Sequence, residues 1–271
     1  MKTRIITAVI AIAVVIVLLI FRMTLALPIV AMLLCALAAH EIFKATHNKT
    51  NITFYIATIL YLAATPFIAL SYIPFLTMEM WSILFALVFA IGLIVHFNAE
   101  DIPRQFLCFG MALIVAYGIG STVAAIRAEH GVYLFFVGGL CSLMCDAGAY
   151  FAGTFFGKHK LCPAISPKKT VEGAIGGVVS VYLSVLLLAL IYTLCVPDAK
   201  IQYLSLLIFT PIGTVIGMVG DLFASSIKRC YGIKDFGTFF PGHGGVLDRV
   251  DSVILVFPVM MIYHALFPLI A

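Results

Sequence analysis

Uncharged apolar runs recur along this chain, joined by short polar connectors. A helix needs roughly 20 apolar residues to cross the hydrocarbon of a bilayer, and about nine runs come near that length. They cover residues 5–21, 23–39, 52–72, 80–97, 106–126, 132–151, 171–196, 203–224 and 250–271. Lipid must be the solvent for most of such a surface. Of 271 residues, 63% are hydrophobic and 10% charged, and the mean hydropathy is +1.18, whereas soluble domains are only about half apolar. The sequence therefore predicts an all-α, polytopic integral membrane protein with about nine transmembrane helices.

The connectors also carry an orientation. With nine spans, alternate loops place every Lys and Arg on one side except Arg22, Arg127 and Lys200. Cations collect on the cytoplasmic side of membrane proteins, so the N-terminus and the polar loops are expected there, in a plasma or inner membrane. Lys2 and Arg4 ahead of the first run resemble the start of a signal peptide, but no small-x-small site closes that run, which favours an uncleaved helix. The net charge of +4 matches an anionic partner at the membrane face. No aromatic-interleaved basic tract points to nucleic acid. The seven cysteines are scattered without a C-x-x-C pair, which argues against a zinc site or a disulfide framework.

Chemistry concentrates in the second half. Residues 1–99 read as a packing and lipid-facing region, in which His40 and Glu41 look like a snorkelling interfacial pair. Residues 100–271 read as a catalytic region with cytoplasmic polar loops at 156–173 and 225–251. Asp146 interrupts an apolar run and shares a helical face with Tyr150 and Gly153. A charged acid facing lipid costs several kcal/mol, so Asp146 should point into the protein. Lys158, Lys160, Lys168 and Lys169 make the following loop cationic around Ser166. Thr170 and Glu172 then mark a helix start, whose open N–H groups suit an anion such as a polyphosphate. In the eighth run Asp221, Ser225 and Lys228 form one polar stripe.

The densest stretch is SSIKRCYGIKDFGTFFPGHGGVLDRVD, from Ser225 to Asp251. Ionisable groups are costly beside a membrane unless a ligand or metal uses them. Lys228, Arg229, Lys234 and Asp235 precede a glycine-flanked His243, and a helix is expected to start at Asp248, Arg249 and Asp251. Carboxylates converging with hydroxyls suit a hard cation such as Mg2+, which shares its shell with phosphates. Phosphate or nucleotide chemistry at the membrane face is as far as the residues alone lead.

The stretch resembles the pattern of the phosphatidate cytidylyltransferase (CDP-diglyceride synthase) family: Ser, Lys-Arg, four residues, Lys-Asp, then Pro-x-His-Gly-Gly-x-x-Asp-Arg-x-Asp. Every defined position is filled. The segment DAGAYFAGTFFGKHKLCPAISPKKTVEGAIGG is similar to the family's other polar block. The resemblance implies that CTP and phosphatidic acid give CDP-diacylglycerol and pyrophosphate with Mg2+ and a second cation. It implies Asp221 and Asp248 as metal ligands, with Asp251 and Asp146 behind them. Lys228, Arg229 and Lys234 would clamp phosphates, with Asp235 and Arg249 in the same catalytic set, and His243 would orient a phosphate or protonate the leaving group. Asp146, Ser166, Lys168, Lys169 and Ser225 would bind CTP. A homodimer is compatible with this reading. The alternatives are a CTP-dependent enzyme on another lipid, such as a polyprenol kinase or an archaeal-lipid cytidylyltransferase, and an ion-coupled transporter. Against the transporter, the sequence shows no paired halves with broken helices in matching positions, as transporters tend to have.

Overall fold

Each apolar run forms a helix in the computed structural model, which describes residues 2–46, 52–242 and 244–271. Lys49 and His243 lie outside the described residues. The helices are α1 (Lys2–Ile20), α2 (Ala26–Ala45), α3 (Ile52–Ala69), α4 (Met78–Val95), α5 (Ile102–Arg127), α6 (Gly131–Phe156), α7 (Val171–Cys195), α8 (Tyr203–Cys230), the short α9 (Leu247–Val250) and α10 (Val253–Leu266). Among the described residues seven of them, α2 to α8, are long and apolar enough to cross a membrane. The protein is thus an all-α polytopic membrane protein.

Of the nine expected spans, the last is a shorter apolar helix, Val253–Leu266. The last is cut at both ends for local reasons. Asp251 Oδ1 accepts from Ser252 N at 2.9 Å and Ser252 Oγ at 3.3 Å, a local bond that competes with helical pairing. The continuous helix expected from Asp248 onward is therefore interrupted after Val250. At the other end Pro268 disfavours helical geometry at Phe267, which is extended at φ −134°, ψ 90°. The chain then pairs Ile270 with Ile201. Fourteen residues rise about 21 Å at 1.5 Å each, short of the roughly 30 Å hydrocarbon core.

The chain folds as two compact units. The first comprises residues up to Arg127 together with Cys230–Val250. Its centre is an aromatic stack in which Tyr61 lies 4.1 Å from Phe85 and Phe89 lies 4.4 Å from Phe109, centroid to centroid. The second comprises Ala128–Arg229 and Asp251–Ala271, and α6 packed on α7 is its main body. Gly173, Gly177, Val181, Val185 and Ala189 are the buried residues of α7, one stripe at intervals of four, while Leu183 and Leu194 on other faces are 66% and 74% exposed. Small residues along such a stripe let two membrane helices approach closely.

Between α6 and α7 the polar loop expected at 156–173 contains a two-stranded antiparallel ribbon, β1 (Lys160–Cys162) and β2 (Ser166–Thr170), with Lys160 opposite Thr170. Two contacts fix it to α7. Thr170 is the N-cap of α7 and its Oγ1 accepts from Gly173 N at 3.1 Å. Glu172 contacts His159 Nδ1 at 2.6 Å and accepts from the N–H groups of Lys158 and His159. Losing an N-cap side chain costs about 1 kcal/mol. Thr170→Ala is accordingly expected to lower the thermal midpoint by roughly 2–4 °C, measurable by unfolding in detergent.

Candidate active site

In the second unit, four side chains expected to bind substrate meet in one cleft. Asp146 on α6 and Ser166, Lys168 and Lys169 on β2 line a space of ≈ 250 Å³, together with Tyr150 and Thr170. The ribbon carries the lysines over α6, and the tight α6–α7 contact holds Asp146 beneath them. Lys169 Nζ is buried and contacts Asp221 Oδ2 on α8. It makes no other hydrogen bond among the described residues. Asp146 lies within electrostatic reach of both Lys169 and Asp221. One ammonium thus rests against Asp221, with a second carboxylate in electrostatic reach, beside an open cleft.

The α8 stripe is real in space. Ser225 Oγ donates to Asp221 Oδ1 at 3.4 Å. One turn further, Lys228 is buried at 8% exposure with Nζ 3.6 Å from Asp251 Oδ2. Asp251 reaches α8 because Gly220 has no side chain: a Cβ there would stand 2.7 Å from Asp251 O. Arg229 is exposed at the end of the helix.

The rest of the polar stretch belongs to the first unit, where two acids shape a glycine-rich loop. Asp248 is 8% exposed, and its Oδ2 accepts from Phe236 N at 2.8 Å and Gly245 N at 3.0 Å. Gly242 and Gly244 adopt φ of 78° and 86°, a left-handed conformation that glycine accepts without strain. Phe240 N donates to Gly244 O at 2.8 Å and closes the turn. Lys234, Asp235 and Arg249 are exposed around it.

The second acid is Glu41 of α2, which sequence reasoning assigned to an interfacial pair. Glu41 is instead 4% exposed, and its two oxygens accept from Val246 N and Leu247 N, each at 2.9 Å. Its neighbour His40 is exposed and bonds Tyr55 OH at 3.0 Å. The signal was partial: an acid at the end of an apolar run is either satisfied inside the protein, as argued for Asp146, or snorkels to the interface.

A model of the cytidylyltransferase family matches residues 2–267. The chain belongs to the cytidylyltransferase family. Among curated relatives, a phosphatidate cytidylyltransferase of Bacillus subtilis is 45% identical over 139 residues, 51% of this chain and 50% of the relative. One of Staphylococcus saprophyticus is 41% identical over 154 residues, 57% of each chain, and one of Staphylococcus aureus 41% over 150 residues, 55% of each. The chain spans about half the length of the curated relatives it matches.

No group of three or more acid, histidine or cysteine side chains disposed to hold a metal occurs among the described residues. Magnesium does not require one, since one or two carboxylates with substrate phosphates commonly suffice. The donor set around Asp221 fits that ion. Asp221, Asp146 and the Ser225 hydroxyl supply only oxygen, and the Lys169 ammonium already rests against the Asp221 carboxylate as a cation would.

Proposed function

We propose that this protein transfers the cytidylyl group of CTP to phosphatidic acid, forming CDP-diacylglycerol and pyrophosphate at the cytoplasmic face of a plasma or inner membrane. The cleft lined by Asp146, Lys168 and Lys169, with the Lys169 ammonium against Asp221, carries the reading. A phosphate oxygen of the lipid bonds to the α-phosphorus of CTP, and the bond from that phosphorus to the oxygen bridging the β-phosphate breaks. Both reactants are polyanions, so neutralisation and placement supply most of the acceleration. The lipid phosphate is ionised at neutral pH and needs no general base.

Lys168, Lys169 and Ser166 bind the triphosphate; Lys228, Arg229 and Lys234 offset charge on the phosphates. Asp146 and Asp221 hold Mg2+, and the sequence pattern makes Asp248 and Asp251 ligands for it or a second cation. Bound magnesium supplies charge neutralisation and orientation of the phosphates. His243, Asp235 and Arg249 belong to the catalytic set that the sequence pattern implies. The Lys and Arg asymmetry supports a cytoplasmic N-terminus. A homodimer remains compatible, and nucleic acid is not a partner in this reading.

Two labels test it. With CTP labelled at the α-phosphate, the purified protein in lipid should move label into a chloroform-soluble product that depends on phosphatidic acid. Label arriving from the γ-phosphate on a lipid alcohol would replace this reading with a kinase. Ion flux without CTP would replace it with a transporter.

A further inference from the structure

Glu41 lies nearly two hundred positions before the motif in sequence, on α2, yet its carboxylate is part of the motif's loop. Four successive or facing backbone N–H groups, those of Phe236, Gly245, Val246 and Leu247, are taken by two carboxylates: Asp248 holds the first two and Glu41 the last two. Gly237 and Gly245 press against the Glu41 carboxylate so closely that a Cβ at either would overlap it. Gly245 therefore joins the two acids, touching Glu41 with its Cα while donating its N–H to Asp248. The carboxylate form is specifically matched. Each oxygen faces its own N–H donor, so an amide at this position would turn its NH2 against one of them.

A buried acid within electrostatic reach of Asp248 is an inefficient way to stabilise a helix bundle, because desolvation opposes it. It is an efficient way to hold a loop in one conformation. We infer that Glu41 is a positioning residue: it sets the backbone of Gly245–Leu247 and, through Gly245, the aim of the Asp248 carboxylate. The consequence for catalysis rests on the cytidylyl-transfer reading; the consequence for the loop does not.

The test uses the full chain in lipid nanodiscs with Glu41→Gln, and Thr65→Val as a control whose hydroxyl bonds only Tyr61 O of its own helix among the hydrogen bonds described. Three quantities are measured: thermal unfolding, amide hydrogen exchange of the segment 236–247, and kcat and KM for CTP with phosphatidic acid. In Glu41→Gln, exchange at 245–247 accelerates while the other α2 and α3 peptides stay protected. Its kcat falls about 100-fold, the scale of an ångström-level misplacement, with KM for CTP within about threefold, and Thr65→Val keeps the parental values. Unchanged exchange, unchanged kcat, or an equal fall in Thr65→Val overturns the inference. If the parent protein forms no CDP-lipid, the cytidylyl-transfer reading fails by itself, and the exchange arm alone decides whether Glu41 holds the loop.

Discussion

Asp221→Asn should lower cytidylyl transfer by roughly 10³-fold, the upper range for removing one electrostatic contact made to developing charge, while the protein still inserts and folds. The asparagine keeps the shape of the side chain and can still accept from Ser225, which now donates to Asp221 Oδ1 at 3.4 Å. It cannot keep the charge. The buried Lys169 ammonium would then lose the carboxylate it contacts and turn toward Asp146, its other acidic neighbour. The lysine would leave the position from which it reaches the cleft, and one of the two proposed magnesium ligands would be neutral. The measurement is the initial rate of CDP-lipid formation across a magnesium titration, with thermal unfolding as the folding control. A variant within about threefold of the parent at every magnesium concentration would remove Asp221 from the proposed site, because a metal-binding carboxylate cannot be that dispensable.

The second large effect is on the scaffold. Gly176→Leu is expected to destabilise the protein by about 3 kcal/mol, the upper end for overpacking, and to abolish transfer. At Gly176 α7 lies so close to α6 that even a Cβ would overlap Ala152 Cβ, and Gly148 on the facing helix is equally confined by Ser180. Neither neighbour is the end of a flexible chain that can swing away. The helices must separate, and the separation reaches the chemistry: Asp146 lies two residues before Gly148, while Thr170 joins α7 to the strand that bears Lys168 and Lys169. Thermal unfolding in detergent and the CTP assay would both register the change. Gly139, where a Cβ meets nothing within 4 Å, should accept alanine with little loss in either.

The class of fold and the set of polar residues could be read from the order of residues alone. Burying charge in lipid is costly enough that few ionisable groups enter apolar helices without a use, so Asp146, Asp221 and the stretch from Ser225 to Asp251 stood out against the runs around them. The same logic passed over Glu41, because at the end of a run an acid can also snorkel, and only the fold shows two backbone N–H groups waiting for it. The number of crossing helices was legible only approximately, since the final run contains a break at Asp251 that depends on a side-chain bond to Ser252. Which face of a helix without ionisable groups turns inward was not legible from polarity. In water a polar face marks the outside, but α7 is apolar on every side, and its packing stripe is distinguished by small residues rather than by polarity. Tertiary structure alone decided that Lys169 meets Asp221 and that the motif divides at Arg229 between two units. Pairings across dozens of residues follow from how closely helices approach, and in lipid that approach is set by shape.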